Sequence, residues 1–98
     1  MGVTLTGWLR CATEAEAARV RAALPAHARL SRAEPGCLRF DVTPTADPLV
    51  WRVEEAFVDE AAFVAHQARG AASDWAQHTL GVERDYVVTG LSPAPKAQ

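Results

Sequence analysis

A chain of 98 residues makes one domain, large enough for a core yet small enough to gain from burial against a second copy. Its formal charge of −2 includes neither the basic cluster of a nucleic-acid binder nor an acidic arm. No apolar run is long enough to cross a bilayer and no signal-peptide pattern opens the chain, so the expectation is a cytoplasmic protein with neither membrane nor nucleic acid as partner.

Val3, Leu5 and Leu9 alternate with Thr4, Thr6, Trp8 and Arg10, the period of a strand, with Gly7 marking a bulge or a close backbone approach. Thr13 and Glu16 have capping-box spacing. They open an Ala-rich helix whose inner stripe is Ala17, Val20, Leu24, His27 and Ser31. Pro25 lies inside that run and predicts a break into two pieces, since it removes a backbone donor and clashes with the preceding turn. Glu34 before Pro35 is pushed toward extended geometry, and Gly36 offers the positive φ that often stops a helix.

Leu38, Phe40 and Val42 then alternate as a second strand over residues 37–43. The Pro44–Pro48 turn leads to a third strand over 49–57, antiparallel to the second because the connection is short. Asp59 is a good N-cap for a second helix with the stripe Ala62, Phe63 and His66. Gly70 interrupts it, Ser73 caps a short helix through Asp74, Trp75 and His78, and 83–90 reads as the fourth strand. The order is β-α-β-β-α-β, an α+β domain over residues 1–91, with 92–98 a flexible C-terminal tail. Strands three and four carry apolar residues on both parities, so the sheet's second face wants cover, and a homodimer packed sheet against sheet supplies it.

The two cysteines, Cys11 and Cys37, have neither a redox nor a metal spacing and read as small buried hydrophobes. No phosphate loop, nucleophile elbow or zinc motif occurs. His27 and His66 each fall on the inner stripe of a helix and should point at the sheet. An imidazole in an apolar pocket is a general-base candidate near neutral pH. Trp75 stands where a lid over a cleft would be, and Trp51 and Phe63 belong to the aromatic stock. Arg32 and Arg84 sit at element ends, where a guanidinium can reach an anionic ligand. Glu54 and Glu55 point to opposite faces of the third strand, so one enters a covered face; we expect it to pair with an arginine in a structural role.

The run Glu34-Pro35-Gly36-Cys37-Leu38-Arg39-Phe40-Asp41-Val42, then Glu55-Ala56-Phe57 with Asp59, then Ala62-Phe63 and His66-Gln67, resembles the antibiotic biosynthesis monooxygenase (ABM) domain family. The resemblance covers residues 3–89 and implies a ferredoxin-like four-stranded antiparallel sheet in a dimeric α+β barrel. It also implies oxidation of a small aromatic, phenolic, anthrone- or quinol-like substrate by O₂ with no metal or flavin cofactor. His66 matches the histidine of the family's helix motif and would be the base or proton shuttle, with His27 assisting. Trp51, Trp75, Phe63, Arg32 and Arg84 would bind substrate. The chain has no asparagine, which some members use and which haem-degrading relatives need. The alternatives are an acid–base isomerase acting on a small metabolite, or a non-catalytic small-molecule-binding dimer.

Overall fold

The computed structural model describes residues 2–92. Its elements are β1 (Val3–Arg10), α1 (Glu14–Arg32), β2 (Cys37–Pro44), β3 (Val50–Phe57), α2 (Glu60–Ala71), α3 (Asp74–His78) and β4 (Glu83–Thr89). The four strands form one antiparallel sheet in the order β2-β3-β1-β4, the ferredoxin-like β-α-β-β-α-β topology. Of the tail expected at 92–98, residues 93–98 lie outside the described residues.

Register decides which parity faces the helices. Val3, Leu5 and Leu9 of β1 are buried, as are Trp51, Val53, Glu55 and Phe57 of β3. Phe40 stands opposite Glu55 and Tyr86 opposite Gly7, on the same face. Val3, Leu9, Val20, Val53 and Phe57 form the middle of the core, wholly or almost wholly out of water. The other face carries Thr4, Thr6, Trp8, Arg52, Glu54 and Val87. Gly7 sits at φ 153°, and a Cβ there would lie 2.0 Å from the Asp85 carbonyl. Close approach of β1 to β4 is therefore what requires glycine.

The capping signals work as local chemistry predicts. Thr13 accepts from the Glu16 amide at 3.2 Å, while Glu16 reaches back to the Ala12 amide at 2.7 Å. Asp59 accepts from the Ala62 amide at 2.8 Å.

Three local expectations are corrected. Pro25 does not break α1, which runs unbroken over 19 residues. Pro25 and Arg21 are exposed, so water can take the carbonyl that proline leaves unpaired, and buried Val20 and His27 hold both halves on one sheet. Gly36 has no positive φ. Space is what demands it, since a Cβ there would come within 2.3 Å of the Ala62 Cβ and stop the turn from seating on α2. Ser73 stands at the N-cap of α3, but its hydroxyl donates to the Gly70 carbonyl at 2.6 Å instead of capping.

Candidate functional site

Between the sheet and the three helices lies a cavity of about 260 Å³. Helix periodicity places His27 on α1 and His66 on α2 over it, strand periodicity raises Phe40, Glu55 and Tyr86 from below, and Trp75 of α3 closes a side. The two histidines meet there, with ring centroids 5.9 Å apart. His27 stacks flat on Trp75 at 4.6 Å and meets Phe40 edge-on at 5.2 Å. His66 packs against Phe57 at 5.0 Å and Phe40 at 5.6 Å.

His66 also stands between two carboxyl groups. Its Nδ1 lies 2.9 Å from Glu34 Oε1 and its Nε2 3.4 Å from Glu55 Oε1. Glu34 comes from the turn between α1 and β2. Its second oxygen accepts from Arg69 Nε, and Arg69 donates onward to Ser31 Oγ at 2.8 Å. One polar chain, Ser31–Arg69–Glu34–His66, thus crosses α1, the turn and α2 and ends facing Glu55 of β3.

Electrostatics separates the titratable groups. Glu55 is 7% exposed, and burial together with the nearby Glu34 charge pushes its carboxyl up to about 7. His27 is pushed down to about 4, first by burial and then by the charges of Arg69 and His66. Burial also raises the Tyr86 phenol, which stays a donor across the working range. Two buried polar atoms, His27 Nδ1 and Glu55 Oε1, have no hydrogen-bond partner among the described residues. An unpaired buried polar atom beside a cavity is costly unless a ligand satisfies it.

His27, His66, Trp75 and Arg84 line this cavity, whereas three other sequence candidates do not. Trp51 shares the parity of Glu55 but stands four residues along the strand, roughly 13 Å away, and is buried in the core opposite Leu9. Phe63 packs edge-on against Phe57 at 5.6 Å, one helical turn from His66. Arg32 donates to the Phe40 carbonyl at 3.0 Å and pairs with Asp41 at 3.6 Å on the outer edge of β2. Arg84 lines the cavity with its guanidinium already engaged. It donates to the carbonyls of Thr79 and Val82 and to the Thr79 hydroxyl, at 3.1, 2.9 and 2.7 Å, so it braces the turn after α3.

Glu55 is the residue the sequence reading assigned elsewhere. It does enter the covered face, but its neighbour there is His66, while Glu54 takes the arginines, Arg39 at 3.1 Å and Arg52 at 3.9 Å. The signal was present in the strand pattern: Trp51, Val53 and Phe57 share its parity, and a lone carboxylate among them has to be explained by the interior. Glu34, Phe40 and Tyr86 were not singled out for chemistry, since only the crossing of turn, α2 and sheet brings them together.

The fold recurs in solved structures. A candidate antibiotic biosynthesis monooxygenase from Nitrosomonas europaea matches with a TM-score of 0.75 and 24% identity, over 92% of this chain and 97% of that one. One from Deinococcus radiodurans matches at 0.71 and 22%, over 100% and 99%. SnoaB, a cofactor-independent oxygenase from Streptomyces nogalater, matches at 0.73 and 14%, over 95% of each. No curated protein matches the chain in sequence. The model of the antibiotic biosynthesis monooxygenase family matches residues 7–78, a span that contains Glu34, Glu55, His66 and Trp75. With most of the chain matched, and the strand order and helix placement agreeing, this protein belongs to the antibiotic biosynthesis monooxygenase family.

Proposed function

We propose that the protein is a cofactor-independent monooxygenase that oxidises a small phenol, hydroquinone or related electron-rich ring with O₂. The observation that carries this reading is a buried carboxyl poised near pH 7, within reach of an imidazole, on the floor of an aromatic-walled cavity. A base with that pKa takes a proton efficiently at neutral pH. The likeness of the fold to SnoaB, itself a cofactor-independent oxygenase, supports the same reaction class.

Glu55 as carboxylate removes a proton from the substrate, and His66 shares it. The substrate anion passes one electron to O₂, and the resulting radical pair joins to form a C–O bond. The hydroperoxide anion takes the proton back. Loss of the remaining proton at that carbon, with departure of hydroxide, leaves a carbonyl and water. The substrate thus loses its phenolic O–H proton and one ring C–H hydrogen, one O₂ is consumed, and a quinone carbonyl and one water are formed, with the substrate supplying every electron. Phe40, His27 and Trp75 hold the ring and keep water from the anion. At about 260 Å³ the cavity lies just below the usual range for drug-sized ligands, a size that suits a compact aromatic substrate. A homodimer packed through the open sheet face completes the reading.

The test is oxygen uptake by the purified protein with a panel of hydroquinones, catechols, naphthols and anthrones, beside Glu55→Gln and His66→Ala. Uptake that needs no added metal or flavin, and falls in both variants, is the expected result. Turnover of the same compounds without O₂ would instead establish an isomerase that uses the same acid–base pair.

A further inference from the structure

The carboxylate that touches His66 from the side away from the cavity does more than pack. Glu34 is held at both oxygens, one by His66 Nδ1 at 2.9 Å and the other by Arg69, itself pinned by the fully buried Ser31. A carboxylate gripped by a guanidinium only accepts, so Nδ1 must carry the hydrogen. A neutral imidazole protonated there leaves Nε2 bare, and Nε2 faces Glu55 Oε1 at 3.4 Å. The remaining neighbours, the Phe40 and Phe57 rings and the edge of His27, offer Nε2 no competing carboxylate.

We propose that Glu34 is a positioning residue: it locks His66 in the Nδ1–H tautomer, so that a bare Nε2 is left facing Glu55 Oε1, where it can take a proton from Glu55 or from the substrate. Its catalytic meaning rests on the oxygenase reading above; the tautomer itself does not. Glutamine at position 34 would keep the size but lose the constraint, because an amide serves Nδ1 as donor or acceptor and admits the Nε2–H form.

Two-bond ¹⁵N–¹H correlation spectra of the histidine side chains at pH 8 read the tautomer directly, with the His66 signals assigned by their loss in His66→Gln. The expected result is a protonated Nδ1 and a bare Nε2 in the wild type, and a population shift toward Nε2–H in Glu34→Gln. In the same variant kcat should fall about a hundredfold with KM little changed, the mark of a wrong tautomer at an intact site. An Nε2–H or doubly protonated His66 in the wild type would overturn the proposal without any variant, as would an unchanged tautomer in a folded Glu34→Gln protein. Because the spectra need no substrate, failure of oxygen uptake across the panel would count against the oxygenase reading and leave the tautomer result standing.

Discussion

Burial opposes the charged form of any group, and it therefore drives Glu55 and His27 in opposite directions. Glu55 moves up to about 7 from an ordinary 4.5, so between those values the folded chain holds more protons than the unfolded one. Its contribution is most favourable below 4.5 and declines as pH rises through 7, by about 3 kcal/mol. His27 moves down to about 4 from 6.5, so the unfolded chain holds more protons in between. Its contribution is full above 6.5 and is lost as pH falls through 4, by a similar amount. From pH 4.5 to 6.5 the two nearly cancel. Urea unfolding should therefore show Glu55→Gln gaining stability with rising pH relative to wild type, and His27→Phe losing it, each by about 2 kcal/mol over that window. Parallel pH slopes in all three proteins would sink this assignment. In the proposed oxidation, Glu55 must be ionised to accept a proton. Turnover should rise with pH through about 7, and Glu55→Gln should lower kcat at least a hundredfold and abolish that rise.

At the scale of elements, proline and glycine positions separate local preference from tertiary demand. Pro25 sits exposed in the middle of α1, where packing of Val20 and His27 overrides its helix-breaking preference. Pro25→Ala restores a backbone hydrogen bond and should stabilise by about 2 kcal/mol, partly offset by a floppier unfolded chain. For a domain of this size that is a rise in Tm of several degrees, measured by calorimetry; an unchanged or lower Tm would contradict the account. Gly36 behaves oppositely. Gly36→Ala would press a methyl against Ala62 and push the Glu34 turn away from α2. It should cost about 1–3 kcal/mol and weaken the Glu34–His66 contact, visible as a shifted His66 signal. A silent Gly36→Ala variant would mean that the turn has room the packing does not suggest.

For the whole molecule, the question is what meets the sheet face that the helices leave open. Trp8 lies under Arg10 and Arg52, with guanidinium carbons 5.8 and 4.7 Å from its ring centroid. Val87 is 63% exposed nearby on β4, and Arg39, Glu54 and Arg52 form a chain of opposite charges across the strands. Apolar groups ringed by charges of both signs suit a self-complementary contact between two copies. Sedimentation at micromolar concentration should give a dimer. Val87→Glu together with Trp8→Ala should give a monomer that keeps the wild-type helix content. A monomeric wild type would refute the homodimer.

Periodicity made much of this protein legible. Val3, Leu5 and Leu9 alternate, Val20 and His27 fall on one helical stripe, and Asp59 and Thr13 mark helix starts, because each pattern is set by neighbours in the chain. The same local rules placed both histidines on inner faces. They could not say that Glu55, rather than Trp51 or Phe63, would stand beside His66. That depends on strand register and on where α2 crosses the sheet, which are settled by packing between residues far apart in sequence. Nor could they reveal the contact of Glu34 with His66, which lies 32 positions away in sequence. Residue chemistry and periodicity thus lie in the sequence. The burial that shifts Glu55 and His27, the Glu34–His66 contact and the cavity arise only once β3, α2 and the turn after α1 close around one another and exclude water.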